Sequence, residues 1–151
     1  MDEAEEQYGR AEELYQKEKA NLGLANTLKS WGDLLRCLGK LEEAEEQFER
    51  AEELYQKEKD DLGLANTLQS QGDLLKAVGK IDEAASKYRT AIKLYEKIDE
   101  IIGYLYSLAE LYECCKKDKT EADKIKRLIR ENIGYVPYND VKEYVEEKIS
   151  N

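Results

Sequence analysis

The sequence predicts an all-α solenoid of antiparallel helix pairs, and three observations lead to that prediction. The 151-residue chain repeats itself with a period of 40, since residues 4–40 and 44–80 are identical at 28 of 37 aligned positions. Apolar residues recur within each repeat at the spacing that one face of a helix requires. No segment alternates apolar and polar residues as a strand does. Because one helix pair cannot bury both of its faces, stacked repeats are the expected architecture.

We predict eight helices, joined by loops so short that consecutive helices must run antiparallel. Gly79 ends one first helix, and Asp60 with Asp61 supplies an N-cap for the helix that follows them. The predicted helices cover residues 2–19, 22–38, 41–59, 62–78, 81–98, 101–116, 120–133 and 138–149.

The two helices of a repeat carry different patterns. In the first helix, leucines such as Leu64 and Leu68 share one side with the small residue Gly72. The second helix has acidic residues in its first turn, where the helix dipole favours them. Its small and aromatic residues then step by four, three and four positions, at Ala84, Tyr88, Ala91 and Tyr95. A third copy is in phase but weaker, and the pattern decays after Leu111.

These patterns resemble the tetratricopeptide repeat, in which a small residue marks the close approach of two helices and a glycine ends the first. Gly32 and Gly72 stand at the close approach, and Gly39 and Gly79 stand at the turn. The second-helix signature of the family appears three times, as Ala4-Tyr8-Ala11, Ala44-Phe48-Ala51 and Ala84-Tyr88-Ala91. The resemblance covers roughly residues 2–122. It implies a right-handed superhelix whose concave groove is lined by first helices.

The chain departs from the family in two ways. The commonest period of the family is about 34 residues, whereas the period here is 40. In the third copy Tyr112 replaces the close-approach glycine, so helix packing there should be looser or shifted.

The expected domain organisation follows from the repeat. Residues 1–118 form the repeats, as a half repeat 2–19 and repeats 22–59, 62–98 and 101–118 onward. Residues 119–151 supply a degenerate last helix and a C-terminal capping helix. The half repeat is a lone second helix, whose apolar face lacks the first helix that normally precedes it.

The concave groove is the expected binding site. Amides at Asn26 and Asn66 suit the backbone of an extended peptide, because an amide both donates and accepts. We expect both to be exposed, so that their replacement by alanine changes stability little. The alternative is a solvated face with ion pairs from Asp33 to Arg36 and from Asp73 to Lys76. The predicted groove residues are Asn26, Lys29, Asp33, Arg36, Asn66, Gln69, Asp73, Lys76, Tyr106 and Glu113.

Some tetratricopeptide domains clamp the C-terminal carboxylate of a partner. The corresponding positions here read Ser30, Asp33, Ser70 and Asp73, and acids would repel a carboxylate. The sequence therefore argues against a role as an adaptor for such tails.

Composition excludes several other functions. A net charge of −10 argues against nucleic-acid or anionic-membrane surfaces, although the segment from Lys116 to Arg130 is locally basic. The chain has no histidine, which removes the commonest general base and metal ligand. Three cysteines make neither a disulfide framework nor a four-ligand zinc site, and Cys114 and Cys115 are interpreted as small apolar residues in a cytoplasmic protein. We therefore expect no enzyme activity, no cofactor and no bound metal.

The sequence favours a non-catalytic scaffold that binds a protein or peptide in the groove. The first alternative is self-assembly through helix 2–19, as an end-to-end or domain-swapped homo-oligomer in which Tyr8, Tyr15 and Trp31 take part. Trp31 has a competing interpretation, which is packing against helix 2–19 within the chain. A more distant possibility is the ligand-sensing part of a larger regulator.

Overall fold

The structure is a computed structural model that describes residues 2–18 and 20–150. Within the described residues it contains eight α-helices, one short 3-10 helix and no strand. Each described helix end lies within one residue of its predicted position, and Lys19, the predicted end of the first helix, lies outside the described residues. The elements are α1 (Asp2–Glu18), α2 (Asn21–Cys37), α3 (Leu41–Glu58), α4 (Asp61–Ala77), α5 (Ile81–Lys97), α6 (Ile101–Cys115), α7 (Lys119–Asn132), the 3-10 helix Ile133–Tyr135 and α8 (Asn139–Ser150).

Helices that are adjacent in the chain pack against each other from α1 to α7, which confirms the predicted stack of helix pairs. The first helices α2, α4 and α6 also contact one another side by side. The Gln69 side chain on α4, for example, donates from Nε2 to Oγ of Ser107 on α6 at 3.0 Å. One layer is therefore made of first helices, and the second helices α1, α3, α5 and α7 pack beside it.

Local sequence explains where the helices begin and end. Asp60 is the N-cap of α4, and its carboxylate accepts from the backbone N–H of Gly63 at 2.9 Å. Glu100 and Asp118 cap α6 and α7 in the same way. Gly39 and Gly79 follow first helices with φ values of 76° and 81°, a left-handed conformation that glycine adopts without steric cost.

Two kinds of close approach hold the stack together. A Cβ atom at Gly72 would lie 2.7 Å from the ring of Tyr88, so this position of α4 accepts the aromatic ring of α5. A second kind joins consecutive repeats, since a Cβ atom at Gly63 would lie 2.2 Å from the ring of Tyr55. Both rings are buried, with Tyr88 0% and Tyr55 2% exposed. The first kind is the one that the sequence predicts.

The third pair is shifted, as the tyrosine at position 112 predicts. Helix α6 has 15 residues and α4 has 17. The second-helix signature therefore recurs in α7 38 residues after its position in α5, and not 40 residues after it. Ala122 and Ile129 are buried at the positions of Ala84 and Ala91. Lys126 takes the place of Tyr88, and its ammonium lies 5.1 Å from the centre of the Tyr112 ring. In the second pair the aromatic residue at the close approach, Tyr88, lies on the second helix, whereas in the third pair the aromatic residue, Tyr112, lies on the first helix.

The two ends of the stack differ. No residue of α1 whose side chain is described is fully buried, whereas Ala44, Phe48, Ala51 and Tyr55 of α3 are at most 2% exposed. At the other end α8 packs chiefly on α6, and Val145 and Ile149 of α8 join the core. Among the described helices, none combines the length and the apolar character that crossing a bilayer requires.

Candidate functional site

The ten predicted groove residues lie along the first helices α2, α4 and α6, and we call them the stripe. On α2 the stripe is accessible, since Asn26 is exposed and the side chains of Lys29 and Asp33 are 26% and 31% exposed. Lys29 Nζ and the Asp33 carboxylate form an ion pair at 2.6 Å. Asp33 therefore pairs with the residue four positions before it, and the expected pair with Arg36 is not the one that forms.

Asn26 and Asn66 are held by tyrosines of the second helices. The Tyr55 hydroxyl donates to Oδ1 of Asn26 at 2.5 Å, and the Tyr95 hydroxyl donates to Oδ1 of Asn66 at 2.6 Å. Burial raises the pKa of Tyr55 to about 12. The bond fixes the orientation of each amide, so that its Nδ2 donor is turned away from the tyrosine.

These bonds change one expectation. Asn26 is exposed but Asn66 is only partly exposed, and each accepts a bond from a tyrosine that is at most 2% exposed. An alanine at either position would leave a buried hydroxyl without its acceptor, which costs stability. The expectation that both asparagines are exposed holds for Asn26 only, and we now expect both substitutions to lower stability.

Asp73 lies deeper than its counterpart Asp33. The Tyr88 hydroxyl donates to Asp73 Oδ1 at 2.5 Å, whereas Phe48 at the equivalent position has no hydroxyl to offer Asp33. Burial raises the pKa of Asp73 above its ordinary value, although the bond from Tyr88 acts in the opposite direction. The expected ion pair from Asp73 to Lys76 is replaced by this bond.

Glu110 on α6 is the centre of a buried polar cluster. It is 1% exposed, and its carboxylate accepts from Lys76 of α4 and from the hydroxyl of Tyr144. Lys148 Nζ lies 3.4 Å from the same carboxylate. Burial opposes ionisation of Glu110, but the hydrogen bonds from Lys76 and Tyr144 outweigh it, so its pKa is lowered. Such a buried carboxylate is stable because it is paired on several sides.

Helix α8 covers Tyr106, one of the two stripe residues on α6. The ring of Tyr144 stacks on the ring of Tyr106 with centroids 5.2 Å apart and planes 5° apart. Glu113 is partly exposed and lies 3.4 Å from Lys116. Tyr106 is therefore occupied by contact within the chain, a correction to its expected role as an open groove residue. No sequence pattern indicates this contact, because residues 138–149 carry no repeat signature.

The residues expected to mediate self-association lie at the contact between α1 and α2 within the chain. The rings of Tyr8 and Trp31 stack, with centroids 5.7 Å apart and planes 1° apart. Tyr15 lies against Gly23, where a Cβ atom would come within 2.3 Å of its ring. Trp31 thus makes the contact with helix 2–19 that its second interpretation describes.

The remaining candidates for chemistry are the adjacent cysteines and the acidic side chains. Cys114 and Cys115 are half-buried free thiols, and burial raises the pKa of Cys115 to about 11 and that of Cys114 in the same direction. A raised pKa keeps a thiol in its unreactive protonated form. Within the part of the chain that the structure describes, no group of three or more acidic or cysteine side chains is placed to hold a metal ion.

Comparison with known proteins agrees with the repeat architecture. A family model described as tetratricopeptide repeat matches residues 1–57 and 23–97, which together make up more than half of the chain. No curated protein matches the chain.

Proposed function

Because the chain belongs to the tetratricopeptide repeat family, we propose that it is a non-catalytic scaffold that binds a peptide or a helix of another protein along the stripe. Repeats of this family are generally protein-interaction scaffolds, and stacked repeats of this kind present extended binding surfaces. The proposed site is the α2 and α4 part of the stripe, where Asn26 is exposed and the α4 residues are partly exposed.

The observation that carries the proposal is the packing of α8 on α6. Within the chain, α6 already binds helix α8, through an aromatic stack from Tyr144 to the stripe residue Tyr106 and through a hydrogen bond from Tyr144 to Glu110 beside the stripe. The neighbouring first helices carry the same stripe positions. A partner helix or strand would lie beside α8 and meet α2 and α4.

The two anchored asparagines supply the polar contacts. Asn26 and Asn66 are 40 residues apart, and each has its oxygen held by a tyrosine hydroxyl. Their Nδ2 donors suit backbone carbonyl oxygens of a bound segment, which every sequence presents. Selection among ligand sequences would therefore depend on the charged residues Lys29, Asp33 and Lys76.

The test replaces both asparagines by aspartate. Aspartate keeps an oxygen for each tyrosine hydroxyl but removes the Nδ2 donor. We expect peptides selected by the wild-type chain from a random displayed library to bind Asn26→Asp/Asn66→Asp at least about tenfold more weakly, as loss of two polar contacts predicts. Calorimetric titration gives the affinities.

A matched control comes from the second helices α1 and α3. Gln16 and Gln56 are also 40 residues apart, both exposed, and each donates to a glutamate one turn earlier. Gln16→Glu/Gln56→Glu changes the same chemical group and the same charge away from the stripe, so binding should be retained. Equal binding by both double variants would refute the groove as the site.

A second candidate function is self-assembly through α1, and one observation favours it. The signature residues of α1 are partly exposed where those of α3 are buried, and Leu14 is 52% exposed. Light scattering after size exclusion should then show a mass that rises with concentration in the wild type and stays monomeric in Leu14→Glu. Leu38→Glu, at another exposed leucine, is the control. A monomer at every wild-type concentration would eliminate this candidate.

A further inference from the structure

One repeat position on the first helices lies at the floor of the clefts between consecutive second helices. It holds Trp31 in the first copy, Gln71 in the second and Leu111 in the third. Trp31 contacts Tyr8 of α1 and the core residues of α3, so the indole occupies the α1–α3 cleft. The α3–α5 cleft above Gln71 has a volume of about 260 Å³, and the α5–α7 cleft above Leu111 about 740 Å³.

Gln71 places an unpaired acceptor at the floor of the α3–α5 cleft. The side chain is only 5% exposed, and its Nε2 donates to Oε2 of Glu52 at 2.8 Å. Its Oε1 is buried without a hydrogen-bond partner. Buried polar atoms are nearly always paired, since an unpaired one carries its full desolvation cost. Gln71 belongs to the lining of the cleft, so a donor that reaches the cleft floor comes next to this amide.

The rim of the same cleft is strongly acidic. Four glutamates line it, against a single ammonium from Lys87, which lies 3.5 Å from Glu52. The other three glutamates are exposed and have no cation of their own among the described residues: Glu45, Glu49 and Glu83. The excess of carboxylates produces a negative potential that attracts a cationic group.

We propose that this α3–α5 cleft accepts an arginine side chain of a basic segment on a partner protein. The guanidinium would donate to Gln71 Oε1 at the floor and to carboxylates of the rim. Its planar fork of five donors suits several acceptors at once, which a lysine ammonium or a bare cation does less well. The volume exceeds that of a bare ion, and the described carboxylates form no metal-holding group. This contact lies between the second helices α3 and α5, away from the stripe.

The experiment is an NMR titration of the ¹⁵N-labelled full chain with a blocked alanine–arginine–alanine peptide. We expect saturable shifts of the Gln71 side-chain amide and of the backbone amides of Glu83 and Lys87. The same peptide with citrulline, which keeps the shape and removes the charge, should give no saturable shift. Asn26→Asp/Asn66→Asp should bind the arginine peptide as the wild type does, which separates this proposal from the groove proposal.

The chain itself suggests two variants at the floor. Gln71→Trp introduces the residue of the first copy and should abolish the shifts of Glu83 and Lys87. Gln71→Leu introduces the residue of the third copy, keeps the rim and removes the acceptor, so affinity should fall by about tenfold or more.

Three results would overturn the proposal. The first is an equal response to the citrulline peptide, and the second is wild-type affinity in both Gln71 variants. The third is a shift of the same resonances with protein concentration in the absence of peptide, because the occupant would then be a basic side chain of a second copy.

Discussion

The bond between Tyr95 and Asn66 allows a quantitative test of how a second helix is fixed to its first helix. Tyr95 is fully buried, and its hydroxyl donates to Asn66 Oδ1 at 2.6 Å. In Asn66→Ala the hydroxyl keeps its buried position and loses its acceptor. A buried donor left unpaired costs about 1–3 kcal/mol, so Asn66→Ala should lower the free energy of unfolding by that amount.

The partner substitution has a different cost. Tyr95→Phe removes the donor and leaves Asn66 partly exposed, where water can replace the hydroxyl, so we expect a loss of about 0.5–1.5 kcal/mol. Once the hydroxyl is gone, Asn66→Ala should cost less than about 0.5 kcal/mol, as surface substitutions do. The double-mutant cycle should therefore show a coupling of about 0.5 kcal/mol or more.

Urea unfolding followed by far-UV circular dichroism measures all four proteins. Tyr15→Phe is the control, because Tyr15 is the α1 counterpart of Tyr95 and its hydroxyl has no bond to any described residue; it should change stability little. Additive costs in the cycle, or an Asn66→Ala protein as stable as the wild type, would show that the hydroxyl is satisfied in some other way and would refute the reasoning.

Three further predictions concern other polar groups. Gln71→Leu removes both the buried unpaired Oε1 and the bond from Nε2 to Glu52, two opposing effects of similar size, so the free energy of unfolding should change by no more than about 1 kcal/mol in urea titrations; a larger loss would contradict that account. The folded-state pKa of Glu110 is lowered, so its contribution is present above its ordinary pKa and is lost as the pH falls through the folded value. Thermal unfolding should therefore lose less stability below about pH 4.5 in Glu110→Gln than in the wild type, and parallel curves would be the contrary result. The pKa of Tyr55 is raised to about 12, so its contribution is present below about pH 10 and is lost as the pH rises from there to about 12. Urea titrations at about pH 9 and about pH 11 should show a smaller alkaline loss in Tyr55→Phe, and an equal loss in both proteins would count against burial as the cause.

The repeat made most of the fold predictable. Apolar spacing and the glycines at 39 and 79 placed every described helix end within one residue, because capping and helix periodicity are local properties of the sequence. The close approach of Gly72 and Tyr88 also followed from their positions in the repeat.

Contacts between repeats were harder to predict. The bonds from Tyr55 and Tyr95 to asparagine join residues 29 positions apart, and their geometry depends on the packing of two helices. The register of α7 changed because α6 is two residues shorter, so an alignment with a fixed period of 40 could not find Lys126 opposite Tyr112. The burial of Glu110 depends on α8, whose sequence does not repeat.

The position of α8 sets a limit on the size of any ligand. Neighbouring packed helices lie about 8–10 Å apart, so the width of α2 and α4 that remains open amounts to about 20 Å. An extended chain crossing that width has about six residues in contact, and a helix about thirteen. Recognition by this surface would therefore be confined to a short linear motif or to three or four turns of one helix. A ligand that also contacted Tyr106 on α6 would have to displace Tyr144 from its stack on that ring.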